Sequence, residues 1–145
     1  MMKVLNVLAA MILSAACTPS ARVMAPAQSA LMKTVVGSWS LTQGCGGIAY
    51  HCTGVGSLTV PNVVVFHADG TMDQFRAGVK VAGGRFSLTA SVTDSLHAGT
   101  VLMNPGLEGP SETLALTFSI EGQLMLAEPC CDRLTYSFFK VAMPD

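Results

Sequence analysis

The stretch VVVFHADGTMDQF, residues 63–75, places two short apolar segments on either side of the dipeptide Asp69-Gly70. Asp-Gly favours a two-residue type I′ turn, in which both central residues take positive φ, so the stretch predicts a β-hairpin. That turn sets Phe66 opposite Asp73, and alternation then gives one face three apolar side chains: Val64, Phe66 and Phe75. The opposite face carries His67, Met72, Gln74 and Arg76. We expect the first face to point into the interior of the domain.

Short alternating segments separated by Gly, Pro, Asn or Asp continue along the rest of the chain. They predict about eight strands, at 36–43, 58–67, 71–78, 81–90, one or two within 91–103, 113–120, 123–128 and 133–142. We therefore predict an all-β, up-and-down antiparallel β-barrel, because closure removes the exposed edges of a sheet. In such a barrel the first and last strands pair antiparallel.

The first part of the chain, MMKVLNVLAAMILSAAC, has one early positive charge, an apolar run and small residues before Cys17. The run is shorter than the roughly 20 residues that span a bilayer, so residues 1–16 are predicted to be a signal peptide. LSAAC resembles the lipobox of bacterial lipoproteins, which implies acylation of Cys17. We expect a lipidated tether over 17–33 and the barrel over 34–145. Thr18 after the cysteine favours the outer membrane of a Gram-negative envelope, facing the periplasm.

Several segments resemble bacterial lipocalin-like domain proteins. These are the Gly-x-Trp of VVGSWSLT at Gly37 and Trp39, the VVVFHADGTM hairpin, and the last strand LTYSFFKV. The resemblance implies a barrel base in which Lys140 packs on Trp39. It also implies binding of a small apolar molecule or lipid inside the barrel, and we expect a monomer. The candidate lining residues are Val64, Phe66, Phe75, Phe86, Phe118, Tyr136 and Phe138.

Four cysteines fall in the predicted barrel domain: Cys45, Cys52, Cys130 and Cys131. Exported domains favour disulfides, and pairing of the first and last strands brings the two cysteine segments together. We predict two cross-links between the segments. Cys45–Cys131 with Cys52–Cys130 is favoured by the antiparallel direction over the swapped arrangement. A zinc site with His51 is the rival interpretation, but the spacing differs from the paired C-x₂₋₄-C of structural zinc sites, and C-x-x-C is absent.

The sequence offers little sign of catalysis or nucleic-acid binding. Nucleophile and metalloprotease motifs are missing, and GVGSLT (54–59) has no helix after it to hold a phosphate. The formal net charge is -1 and the 8 Lys and Arg are scattered, so no basic stripe forms. We expect no enzyme activity, cofactor, metal or nucleic-acid partner. The alternative to small-molecule binding is an envelope interaction, inhibitor or assembly protein with a filled barrel.

Overall fold

The structure is a computed structural model and describes residues 26–47, 49–129 and 134–142. It is all-β apart from one α-helix, α1 (Pro26–Val35), and a 3-10 helix at Val55–Ser57. The strands are β1 (Gly37–Gly46), β2 (His51–Gly54), β3 (Val63–Phe66), β4 (Thr71–Arg76), β5 (Val79–Ala90), β6 (Ala98–Asn104), β7 (Glu112–Phe118), β8 (Leu124–Ala127) and β9 (Thr135–Val141). Within these ranges, no helix has the length and hydrophobicity needed to cross a membrane.

The strands form a closed antiparallel barrel, as predicted. Each strand from β3 to β8 pairs with the next along the chain, and β1 pairs with β9 to close the ring of eight. The seam runs from Ser38 opposite Val141 to Cys45 opposite Thr135. On its other side, β1 pairs with β3 through its first half and with β2 through its second half. β2 is thus an additional strand beside the ring.

We name the two ends of the barrel from their connections. The base is the end with α1 and the loops 91–97 and 119–123, and the mouth is the end with the loops 55–62 and 105–111. Apolar side chains from both ends reach inward: Leu31 and Val35 from α1 at the base, and Val60 and Leu107 from the loops at the mouth.

The β3–β4 hairpin has a different register from the predicted one. Phe66 pairs with Met72, and Val63 pairs with Phe75. The reason is the turn: Gly70 takes φ +81° as an extra left-handed residue. The His67 carbonyl accepts from Gly70 N–H, and His67 N–H donates to the Thr71 carbonyl. This three-residue loop shifts the pairing by one residue. Met72 and Gln74 therefore point inward, and the prediction for Phe75 is wrong.

The segment predicted to be a tether is partly folded. Residues 26–35 form α1, which begins with Pro26 at a position that tolerates the missing N–H and has Lys33 in its last turn. Leu31 and Val35, four residues apart, are fully buried against the base. The Gln28 side chain donates to the Leu88 carbonyl at 2.6 Å. The folded domain therefore begins at least eight residues before the predicted boundary of 34.

The interior of the barrel is filled with side chains. Inward positions of every ring strand contribute to one cluster with α1, and most of its members are under 3 % exposed. Burial of a large apolar side chain contributes about 1.5–3 kcal/mol, so this cluster is the main source of stability. The inward residues are Trp39, Leu41, Val64, Phe66, Met72, Gln74, Phe86, Leu88, Val101, Met103, Leu114, Leu116, Leu124, Leu126, Tyr136 and Phe138.

Candidate functional site

The predicted ligand-lining residues form packed core rather than the wall of an open cavity. Val64, Phe66, Phe86, Tyr136 and Phe138 are all buried in the interior cluster. The rings of Phe66 and Phe86 pack edge to face with centroids 4.8 Å apart. The two remaining candidates, Phe118 and Phe75, lie elsewhere: the first is half-buried at the base and the second is on the outer wall.

The three residues predicted at the barrel base meet there. Trp39 and Lys140 are directly opposite each other on β1 and β9, and Lys140 Nζ lies 5.2 Å from the centroid of the indole. Gly37 has φ +133°, and a Cβ at this position would lie 2.8 Å from Lys140 Cε. Glycine therefore leaves room for the lysine to reach the indole. The ring of Phe118 packs on Trp39 at 5.7 Å.

The disulfide differs from the predicted cross-links. Cys45 bonds to Cys52 within the β1–β2 hairpin, with Cα atoms 4.0 Å apart. The prediction that these cysteines bond to the segment before the last strand is wrong, because β2 places Cys52 opposite Cys45. Cys17, Cys130 and Cys131 lie outside the described residues. In the part of the chain that the structure describes, no group of three or more His, Cys, Asp or Glu side chains could hold a metal ion.

Two glutamates and a buried glutamine hold the mouth loop 105–111 over the barrel. Gln74 Nε2 donates to the carbonyls of Pro105 and Gly106 at 3.2 and 3.3 Å. The Glu112 carboxylate accepts from Leu107 N–H, and the Tyr136 hydroxyl donates to the Glu108 carboxylate. These contacts hold the loop so that the Leu107 side chain is buried at the mouth of the barrel.

The charged groups of the mouth have shifted pKa values. Partial burial raises the pKa of Glu112, and the neighbouring carboxylates of Glu108 and Glu128 add to the effect. Burial also raises the pKa of Tyr136, with a further contribution from its hydrogen bond to Glu108. Tyr136 therefore remains a neutral hydrogen-bond donor at physiological pH.

A groove of about 310 Å³ lies on the outer wall of the barrel, across β1, β3, β4 and the end of β9. We call it the outer groove. Its walls are mainly the outward-facing side chains of Val63, Val65, Phe75 and Val141. Val65 is only 6 % exposed although it points away from the barrel interior. The groove is thus an apolar depression outside the barrel interior.

The outer groove contains one buried polar group without a partner. Ser38 is 1 % exposed, and its hydroxyl is the one buried side-chain polar atom without a hydrogen bond that the described residues contain. A buried, unpaired hydroxyl is unfavourable. Ser38 lies between Val65 of β3 and Val141 of β9, its partners on the two neighbouring strands.

An ionic cluster forms one rim of the outer groove. Lys80 Nζ lies 2.6 Å and His67 Nε2 3.3 Å from the Asp73 carboxylate. The hydrogen bond from Lys80, followed by that from His67, lowers the pKa of Asp73. Ser38, His67 and Asp73 are the residue types of a hydrolase triad, but the Ser38 hydroxyl is not hydrogen-bonded to His67. The activating contact between nucleophile and base is thus not made.

The outer groove was not predicted from the sequence, although one signal was present. Residues 63–66 read Val-Val-Val-Phe without a polar residue. A continuous apolar run indicates a strand covered on both faces, whereas alternation indicates one face in water. The outward-facing Val63 and Val65 are the excess apolar residues of that run.

Comparison with known proteins adds no relative: a scan of protein-family models, a search of curated proteins and a search of solved structures each returned no match. The closed eight-stranded antiparallel barrel is consistent with a lipocalin-like fold.

Proposed function

We propose that this protein is a lipid-anchored binding protein of the bacterial cell envelope, which holds a small apolar molecule in the outer groove rather than inside the barrel. The supporting observation is the buried Ser38 hydroxyl, which has no partner and lies in a groove walled mainly by Val63, Val65, Phe75 and Val141. Binding rather than catalysis is favoured because His67 makes its hydrogen bond to Asp73 and leaves Ser38 without one.

The groove favours a ligand of a particular chemistry. Its volume of about 310 Å³ is at the lower end of small-molecule sites. Val63, Val65 and Phe75 offer dispersion contacts, and the Ser38 hydroxyl can donate or accept one hydrogen bond. The best match is a compact apolar molecule, or the end of a lipid, with a single carbonyl or hydroxyl group.

A second candidate function follows from the filled interior. Because inward side chains such as Leu114, Leu116 and Leu126 are completely buried, the barrel supports a rigid interaction module as well as a carrier. In that case the protein is an envelope interaction, inhibitor or assembly protein. An apolar side chain of its partner would then occupy the outer groove.

Native mass spectrometry of the protein mixed with a bacterial membrane lipid extract tests the proposal. Ser38→Ala removes the hydroxyl without adding volume, so we expect it to weaken an adduct that the unchanged protein retains. Ser87→Ala, which makes the same change at an exposed position of β5, is the matched control. Thermal unfolding of both variants checks that the barrel is intact.

The outcomes separate the two candidates. An adduct that is as abundant in Ser38→Ala as in the unchanged protein would place the ligand elsewhere and overturn the groove assignment. If the unchanged protein forms no adduct, the interaction protein becomes the better proposal. Anchoring is tested independently, because Cys17→Ala should move the protein from the membrane fraction and remove the acyl mass from the N-terminal peptide.

A further inference from the structure

The base of the barrel carries three exposed apolar side chains. Val92 and Leu96 lie in the loop 91–97 and Ile120 in the loop 119–123, and we call these three residues the basal tips. Val92 is 103 % exposed, Ile120 107 % and Leu96 52 %. Single exposed apolar residues are common on protein surfaces. These three, however, lie on two neighbouring loops at one end of the barrel.

The two loops that carry the basal tips are fastened together. Phe118, which precedes the second loop, donates its backbone N–H to the His97 carbonyl at 2.8 Å. His97 and Ile120 line one shallow depression of about 340 Å³ with Trp39 and Lys140. Within the first loop, the Asp94 carboxylate accepts hydrogen bonds from the backbone N–H and from the ring of His97. This carboxylate is therefore already hydrogen-bonded inside its own loop.

The chain enters the domain beside the basal tips. Gln28, in the first turn of α1, hydrogen-bonds to Leu88 near the end of β5, and the loop 91–97 follows that strand. The nine peptide steps from Cys17 to Pro26 extend over at most about 30 Å. An anchor at Cys17 therefore lies within about 30 Å of the start of α1, which packs on the base.

We infer that the basal tips rest in the interface of the bilayer to which Cys17 is anchored, so that the outer wall and the mouth face the aqueous space. This inference rests on the acylation of Cys17 that is part of the proposed function. Apolar side chains at a membrane surface enter the boundary between headgroups and acyl chains by about 5–10 Å. Lys33, which is exposed at the same end, is available for lipid phosphates.

Tryptophan fluorescence of the acylated, full-length mature protein tests this arrangement. The protein is reconstituted in vesicles of phosphatidylethanolamine and phosphatidylglycerol, with or without bromine on the acyl chains. Val92→Trp and Ile120→Trp report on the base, and Val79→Trp, at an exposed apolar position near the mouth, is the matched control. The unchanged protein gives the background of Trp39, which is buried.

Side chains that insert to the interfacial depth lie close to the brominated acyl chains. We therefore expect brominated lipids to lower the emission of the added tryptophan in both basal variants by about twofold or more and to leave the emission of Val79→Trp unchanged. Equal emission from all three variants with and without bromine would show that the barrel stands clear of the bilayer and would overturn the inference. Quenching of Val79→Trp as strong as that at the base would overturn it also. If mass spectrometry found no acyl mass on Cys17 of the mature protein, the proposed anchor would be wrong. That result is distinguishable from an acylated protein whose basal tryptophans are not quenched.

Discussion

Trp39 and Lys140 face each other across the seam that closes the barrel, and both also bind the end of α1. The indole Nε1 donates to the Val35 carbonyl at 2.7 Å, and Lys140 Nζ donates to the Thr34 carbonyl at 3.3 Å. These are carbonyls of the last helical turn, which have no partner within a helix. One pair of residues therefore joins the first strand, the last strand and the helix that closes the base.

The two members of this pair should contribute unequally to stability. Trp39→Ala removes a buried ring and should lower the free energy of unfolding by about 3–5 kcal/mol. Lys140→Met should cost about 0.5–1 kcal/mol, because the cation–π contact lies at an exposed site. Urea denaturation measures both, and Lys33→Met, an exposed lysine of α1, is the control. Equal losses for the two substitutions would contradict this division.

The register of the β3–β4 hairpin can be checked by a pair of substitutions. Met72 is fully buried inside the barrel, so Met72→Ala should cost about 2–5 kcal/mol. Phe75 is half-buried on the outer wall, and Phe75→Ala should cost about 1 kcal/mol. If chemical denaturation showed a larger loss for Phe75→Ala than for Met72→Ala, the two-residue turn predicted from the sequence would be favoured instead.

Removal of the disulfide should loosen one hairpin and leave the barrel closed. The Cys45–Cys52 bond closes a short loop, since the residues are 7 positions apart. The chain-entropy estimate is about 2–3 kcal/mol at most. We expect the Cys45→Ala, Cys52→Ala double variant to keep its β-sheet circular dichroism and lose stability within that limit. Non-reducing peptide mapping should yield one peptide pair joining these cysteines, and a bond from either to Cys130 or Cys131 would refute the assignment.

Glu112 should make stability depend on pH. Its pKa in the folded protein is raised above the ordinary value of 4.5, so the folded state holds this proton more tightly than the unfolded state does. The free energy of unfolding should therefore fall as pH rises from about 4.5 through the raised pKa. Glu112→Gln keeps an acceptor for Leu107 N–H but cannot ionise, and its stability should fall less over that range.

Denaturation midpoints measured between pH 4 and pH 8 provide the comparison. Glu121→Gln changes an exposed carboxylate in the basal loop 119–123, and its profile should follow that of the unchanged protein. A decline in Glu112→Gln as steep as in the parent would mean that another group at the mouth is responsible.

The closed barrel could be predicted because the alternation of apolar and polar residues that favours strands recurs along the chain. Alternation in several segments and the need to protect sheet edges lead to pairing of β1 with β9, which the structure contains. The hairpin register was predicted wrongly because it depends on one dihedral angle. Asp69 keeps a negative φ while Gly70 does not, and the Asp69 side chain accepts from Thr71 instead. Asp-Gly is compatible with both loops.

The candidate site was less accessible from sequence, for two physical reasons. The Cys45–Cys52 bond depends on β2, a four-residue strand of mostly exposed side chains, which carries little hydrophobic signal. The outer groove depends on Ser38, whose burial results from neighbours distant in sequence, such as Val65 and Val141. A serine alternating with tryptophan in a strand indicates a solvent-facing position unless those neighbours are known.

The closure of β1 on β9 also has a consequence for the kinetics of folding. Phe66 and Met72 pair at the β3–β4 turn across 6 positions, whereas Ser38 and Val141 pair at the seam across 103. Contacts between distant residues form slowly, because a long loop must be ordered first. Substitutions in the seam should thus accelerate unfolding while leaving the refolding rate nearly unchanged, and those in the local hairpins should slow refolding. The lifetime of the native protein is then set mainly by the strand pair that assembles last.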